Sequence, residues 1–209
     1  NCGASRYGSA ELRLAARSTA AHSTVELDER SSADFGLVLG ERRIVAGPGD
    51  VRVARQDATE GHEWVASHDG YRRKLGAVHT RRLLLARDGA SLDGEDEFTL
   101  SPARETLPAL ARFHLHPAIR ASLTSDGAAA LLTLASGEVW SFAAGGLPVT
   151  IEESIFLAAA DSRRRSEQLV VAFDAVATPQ ITWRFARVQG LFSAHPLVPE
   201  PAGIPTPDA

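Results

Sequence analysis

Short runs of alternating apolar and polar residues, broken every 8–12 residues or so by turn signals, leave this chain few options besides stacked β-sheets. Val51 and Val53 alternate with polar neighbours and read as a half-buried strand, as do 62–67, 78–86 and 110–116. Ile181, Trp183 and Phe185 alternate with Thr182, Arg184 and Ala186, which puts the large residues on one face. Glu167–Phe173 carries Leu169, Val170 and Val171 in succession and reads as a strand buried on both faces. Leu131–Leu134 and Val139–Phe142 are joined through Ala135, Ser136 and Gly137. Asp88-Gly89, Asp93-Gly94, Asp126-Gly127 and Gly145-Gly146 read as hairpin turns. The pattern predicts an all-β fold: a large antiparallel β-sandwich of two packed sheets and about a dozen strands. Helix is confined to Ala10 to about Ala20.

A chain of 209 residues buries roughly 70% of its unfolded surface, so its core needs neither disulfide nor metal. Cys2 is the sole cysteine, which excludes an intrachain disulfide and fits a reducing compartment or the periplasm alike. The net charge of −4, with no dominant basic block, argues against a nucleic-acid protein. All but one of the 22 basic residues are Arg, planar forks suited to carboxylate or sulfate. No apolar run reaches the roughly 18 residues of a membrane span, and no secretory signal pattern is present. The chain contains no Met and opens Asn1-Cys2-Gly3, which reads as a piece of a longer protein. Residues 1–192 read as one domain, and the proline-rich 193–209 as a mostly disordered tail.

Arg17-Ser18-Thr19 followed by His22-Ser23-Thr24 resembles the R-S-T-x-x-H-N/S-T segment of the heparinase II/III family of polysaccharide lyases. Asn1-Cys2-Gly3 is similar to that family's D/N-x-G turn. Further pieces follow in order: Ser67-His68-Asp69-Gly70-Tyr71, His79 with Arg81-Arg82, Gly94-Glu95-Asp96, Arg112-Phe113-His114-Leu115-His116-Pro117 and Glu152-Glu153-Ser154. The resemblance implies the C-terminal β-sandwich that follows an N-terminal α/α toroid, and it points to a bacterial, periplasmic protein. The implied activity is β-elimination of a uronate-containing acidic polysaccharide, heparin/heparan sulfate-like or alginate-like. The implied catalytic groups lie on the toroid and on a His-x-His segment before Asn1. No catalytic residue falls inside this chain, which is expected to be inactive alone and to expose an apolar patch where the toroid docks. The second functional class is a non-catalytic carbohydrate-binding or domain-interaction module.

By the same resemblance, His22 matches a ligand of a structural zinc ion, and Asn1 falls where the family has an Asp ligand. An uncharged amide oxygen binds zinc less well than a carboxylate. The alternative is a hydrogen-bonded His22 that fixes the turn into the Thr24–Leu27 strand. Arg112, His114 and His116 share one face if 109–116 is a strand, with imidazoles about 6.5–7 Å apart. They are candidates for binding an anionic sugar chain or a metal, against the simpler reading of a solvated face. Tyr71 is a candidate to stack on a sugar and His68 to bond a hydroxyl, against a tight turn at Asp69-Gly70. Arg163-Arg164-Arg165 reads as a charged loop. Glu152 and Glu153 are adjacent in a strand, so they face opposite ways and cannot act on one substrate.

Overall fold

The computed structural model describes residues 2–3, 9–57, 59–159 and 162–188. Helix α1 (Ala10–Ala15) and a 3₁₀ turn (Thr19–Ala21) lead into β1 (Val25–Leu27), β2 (Asp34–Val38), β3 (Glu41–Ala46), β4 (Val51–Asp57) and β5 (Gly61–Tyr71). One helical turn, α2 (Arg72–Leu75), precedes β6 (Ala77–Ala86), β7 (Ser91–Leu100), β8 (Pro108–His114), β9 (Arg120–Leu123) and β10 (Ala129–Thr133). The last strands are β11 (Val139–Ala143), β12 (Thr150–Ala159), β13 (Ser162–Asp174) and β14 (Gln180–Arg187).

Three antiparallel sheets result. One has eight strands in the order β4-β5-β6-β7-β14-β11-β10-β9, one has four in the order β1-β8-β13-β12, and β2–β3 is a separate hairpin. The period-2 pattern explains the core between the two larger sheets. Ala109, Ala111 and Phe113 point inward from β8, and Ile181 and Trp183 from β14. The Phe113 ring lies 4.8 Å from both Phe142 and Trp183. The sandwich expected from the alternating pattern is the observed fold.

Local readings differ in instructive places. The helix ends at Ala15, and the chain re-forms only a single 3₁₀ turn before β1. Asp93-Gly94 is not a turn but lies inside β7, where a Cβ on Gly94 would fall 2.1 Å from the Trp183 ring. The glycine serves close packing rather than a chain reversal. Asp69-Gly70 likewise lies within β5, at a register shift between His68 and Tyr71. Arg164 and Arg165 pair with Phe156 and Ile155 inside the β12–β13 ladder, so they belong to a strand rather than a loop. Asp88-Gly89, Asp126-Gly127 and Gly145-Gly146 do occupy turns, with every one of those glycines at positive φ. The proline-rich 193–209 lies outside the described residues, as does Asn1.

Val51 and Val53 are 61% and 70% exposed, not half-buried. The inward face of the eight-stranded sheet runs outward through paired residues: Trp183, Gly94, Leu83, Trp64 and Arg55 form one cross-strand row. At β4 this face is exposed. Leu37, Leu39, Ile44 and Val45 of the neighbouring hairpin region are exposed as well.

Candidate functional site

The most heavily bonded polar group in the interior is Asp96. Residues two apart on a strand share a face, so His79 and Arg81 of β6 both reach this carboxylate on β7. His79 Nε2 lies 2.6 Å from Oδ1, Arg81 donates Nε to Oδ1 at 2.7 Å and Nη2 to Oδ2 at 2.9 Å, and Trp183 donates Nε1 to Oδ2 at 2.9 Å. Burial alone would raise the carboxyl's pKa, but the Arg81 guanidinium and the His79 bond hold it well below the usual carboxylate range. Arg81 also donates Nη1 to the Ser23 carbonyl at 2.7 Å, tying this cluster to the segment that enters β1.

Ser23 carries the connection onward. Its Oγ accepts from the His114 amide at 3.0 Å. The His114 ring spans 2.9 Å contacts at both nitrogens, Nε2 with the Ala20 carbonyl and Nδ1 with Ser154 Oγ. A carbonyl only accepts, so Nε2 carries the proton and Nδ1 accepts from the serine hydroxyl. Burial lowers the ring's pKa, so the neutral form that this network requires is favoured. Arg112, on the same face of β8, lies 3.4 Å from both Glu26 and Glu152, while its Nε and the Oε1 of Gln168 are buried with no hydrogen-bond partner among the described residues. His116 is not on their strand: β8 ends at His114, and His116 is exposed, its Nδ1 accepting from the Ala118 amide and its ring edge-on to Phe156. The expected three-residue face is therefore a two-residue face. His114 and His116 do meet at an apolar cavity of about 550 Å³, which Phe113, Trp140 and Phe185 also line.

His22 follows the 3₁₀ turn, donates its amide to the Thr19 carbonyl and accepts from the Thr24 amide. Burial lowers its pKa. Cys2 donates its amide to the Ala21 carbonyl at 2.9 Å, which brings Cys2 beside the residue preceding His22. Asn1, the other expected zinc ligand, lies outside the described residues. Among the described residues no three His, Cys, Asp or Glu side chains are grouped to hold a metal. The nearby His114 has both ring nitrogens engaged. The described residues therefore do not by themselves fit a zinc centre.

Tyr71 is fully buried and donates its hydroxyl to the Val25 carbonyl at 2.9 Å. Burial pushes its pKa far above the usual phenol range. It joins the two sheets, and no ring face is open to stack on a sugar. His68 accepts from the Gly70 amide at 3.2 Å and lies edge-on to His79 at 5.3 Å. Burial and the neighbouring His79 lower its pKa to about 4. Asp69 accepts from the Gly49 and Asp50 amides, so it anchors the β3–β4 connection. Glu152 and Glu153 diverge as expected, toward Arg112 and Arg165 respectively.

The comparisons with known proteins decide the family. Residues 1–184 match the family described as heparinase II/III-like, C-terminal. The chain belongs to this family. Its fold is also that of a heparan sulfate lyase, HepC, from Pedobacter heparinus. A mutant of that enzyme superposes with a TM-score of 0.70 at 13% identity, over 90% of this chain and 28% of the lyase. A heparinase III gene product gives a TM-score of 0.66 at 13% identity, over 87% of this chain and 27% of that one. FtsZ-localized protein C of Caulobacter vibrioides is 30% identical over 159 residues, 70% of this chain and 27% of that protein. The chain thus spans about a quarter of the length of the relatives it matches.

Asp96, His79 and Arg81 are the residues whose joint role sequence reasoning missed. Each sits in a segment that resembles the family, but the spacing of His79 and Arg81 shows only that they share a face. Which carboxylate lies opposite depends on strand pairing.

Proposed function

We propose that this chain is the sandwich half of a lyase that cleaves a uronate-containing acidic polysaccharide by β-elimination, and that it is inactive alone. The match of residues 1–184 to the heparinase II/III-like C-terminal family carries this reading. The site geometry is consistent with a supporting role. His79 is bonded to Asp96, His114 to Ser154 and Ala20, and His68 to the Gly70 amide. These imidazoles are committed to the fold.

β-Elimination removes the proton beside the uronate carboxylate and protonates the departing oxygen. It needs a base, an acid and positive charge to stabilise the enolate. In this reading the proton-transfer groups come from an N-terminal toroid. Arg112 and His116 are the sandwich's contacts to the anionic chain, and His22 is one ligand of a zinc ion whose other ligands lie beyond the described residues. Heparin, heparan sulfate and alginate are the substrates to try. The parent protein should raise absorbance at the unsaturated-uronate band with one of them, and the 209-residue chain with none. A parent protein inert on all three overturns the lyase reading, and turnover by the chain alone overturns the division of labour.

A second reading, a domain-interaction module, is favoured by the relative named FtsZ-localized protein C. Its 30% identity exceeds the 13% shared with the lyases. Co-sedimentation of the chain with FtsZ polymers, without binding to immobilised heparin, would select this reading.

A further inference from the structure

Strand β4 is the outermost strand of the eight-stranded sheet, and no described strand pairs with its other edge. All seven of its residues are exposed. Sheet proteins normally protect such an edge with a bulge, a proline, charged side chains or a covering helix or loop. Here the ladder to β5 is unbroken from Val51↔His68 to Asp57↔His62, and Val51–Asp57 contains no proline. Each of its two cations has an acidic partner two residues away, Arg52 on Asp50 at 2.9 Å and Arg55 on Asp57 at 3.2 Å. Arg55 is further held over the Trp64 ring at 5.4 Å. What remains is a straight ladder edge with Val51 and Val53 on one face.

We infer that β4 pairs antiparallel with β4 of a second copy of this chain, about a two-fold axis through Ala54, joining two eight-stranded sheets into one. The strand is self-complementary in this register. Val51 faces Asp57 of the second copy, Arg52 faces Gln56 and Val53 faces Arg55, so no like charges are directly opposed. The two Arg55 side chains are diagonal neighbours, each held by its own Asp57. A symmetric pairing centred on Arg55 sets two guanidinium groups against each other, and one centred on Val53 leaves Gln56 and Asp57 unpaired. A two-fold axis perpendicular to the sheet keeps both inward faces on one side, so Val51, Val53, Trp64 and Ala66 of the two copies form one continuous strip. A single strand pair is a small interface, so the dimer belongs to the weak class.

Sedimentation velocity over about 1–200 µM should show a reversible monomer–dimer equilibrium. Ala54→Arg places two charges at the axis and should weaken the dimer at least tenfold while leaving the circular dichroism spectrum unchanged, since Ala54 is exposed. Ala54→Cys should cross-link under copper–phenanthroline oxidation. Its Cα atoms would lie about 4.5–5.5 Å apart, within disulfide range. Gln56→Cys should cross-link several-fold less, being offset from its counterpart by about 13 Å along the strand. Buried Cys2 is common to both variants. A chain monomeric at every concentration, a dimer that tolerates Ala54→Arg, or equal cross-linking of the two cysteine variants overturns the inference.

Discussion

Arg81 and Asp96 meet across the β6–β7 pair in a two-pronged ion pair, Nε on Oδ1 at 2.7 Å and Nη2 on Oδ2 at 2.9 Å. The carboxylate has no exposure and the guanidinium little. Two charges taken out of water are tolerable only when their remaining hydrogen-bonding capacity is filled. His79, Trp183 and the Ser23 carbonyl fill it. The pair therefore acts as one unit with three strands and the β1 entry segment. Removing either charge strands the other.

Asp96→Ala should lower the unfolding free energy by about 3–5 kcal/mol, the cost of leaving a buried charge unpaired. Trp183→Phe removes the indole donor to a charged acceptor together with part of a buried ring, and should cost about 1.5–3 kcal/mol for the bond plus a further packing loss. Urea denaturation followed by circular dichroism measures both. An Asp96→Ala midpoint equal to that of the unaltered chain would show that the ion pair does not hold the sheet.

Acid should loosen the fold before the carboxylates titrate. His68 has its pKa lowered from 6.5 to about 4 in the folded chain, chiefly by burial. The unfolded state thus binds more protons between these values, and stability falls as pH drops through that window. His22 and His114 are shifted in the same direction by burial. Because His68 remains partly solvated, its share is discounted to about 1 kcal/mol. Urea midpoints at pH 7.5, 6 and 5 should decline for the unaltered chain and decline less steeply for His68→Gln. Parallel slopes for the two would remove His68 from this account.

Tyr71→Phe separates a structural hydroxyl from a sugar contact. Losing the bond to the Val25 carbonyl, 2.9 Å long and buried, should cost about 0.5–1.5 kcal/mol. Binding of the folded variant to heparin should equal that of the unaltered chain in isothermal titration. A selective loss of binding would return Tyr71 to a ligand surface.

The layered β architecture was legible because period 2 is a local property. The faces of β8 and β14 follow directly from Ala109, Ala111, Phe113, Ile181 and Trp183. What was not legible depends on partners distant in sequence. Val51 looks half-buried in isolation, but its burial depends on how far the four-stranded sheet extends over the inward face. Tyr71 follows His-Asp-Gly and looks like a surface turn residue, yet the register shift in β5 carries it to the Val25 carbonyl. Arg112 and His114 do share a face, as their spacing requires. His116 leaves that face because β8 ends before Pro117, whose ring cannot donate to a ladder.

Gly94 provides the sharpest test of close packing in the sheet. It reads as half of an Asp-Gly turn but lies in mid-strand beneath Trp183, where an added Cβ would stand 2.1–2.4 Å from three ring carbons. That ring cannot retreat freely, because its Nε1 is held by Asp96 at 2.9 Å and its edge packs on Phe113 at 4.8 Å. Gly94→Ala must therefore displace the indole, break its bond to Asp96 or bend β7. Overpacking of this kind costs about 1–3 kcal/mol. The displacement should also appear as altered near-ultraviolet circular dichroism in the tryptophan region, with the far-ultraviolet spectrum retained. If Gly94→Ala leaves both the urea midpoint and the tryptophan signal unchanged, the β7–β14 register that sets the glycine under the indole is wrong.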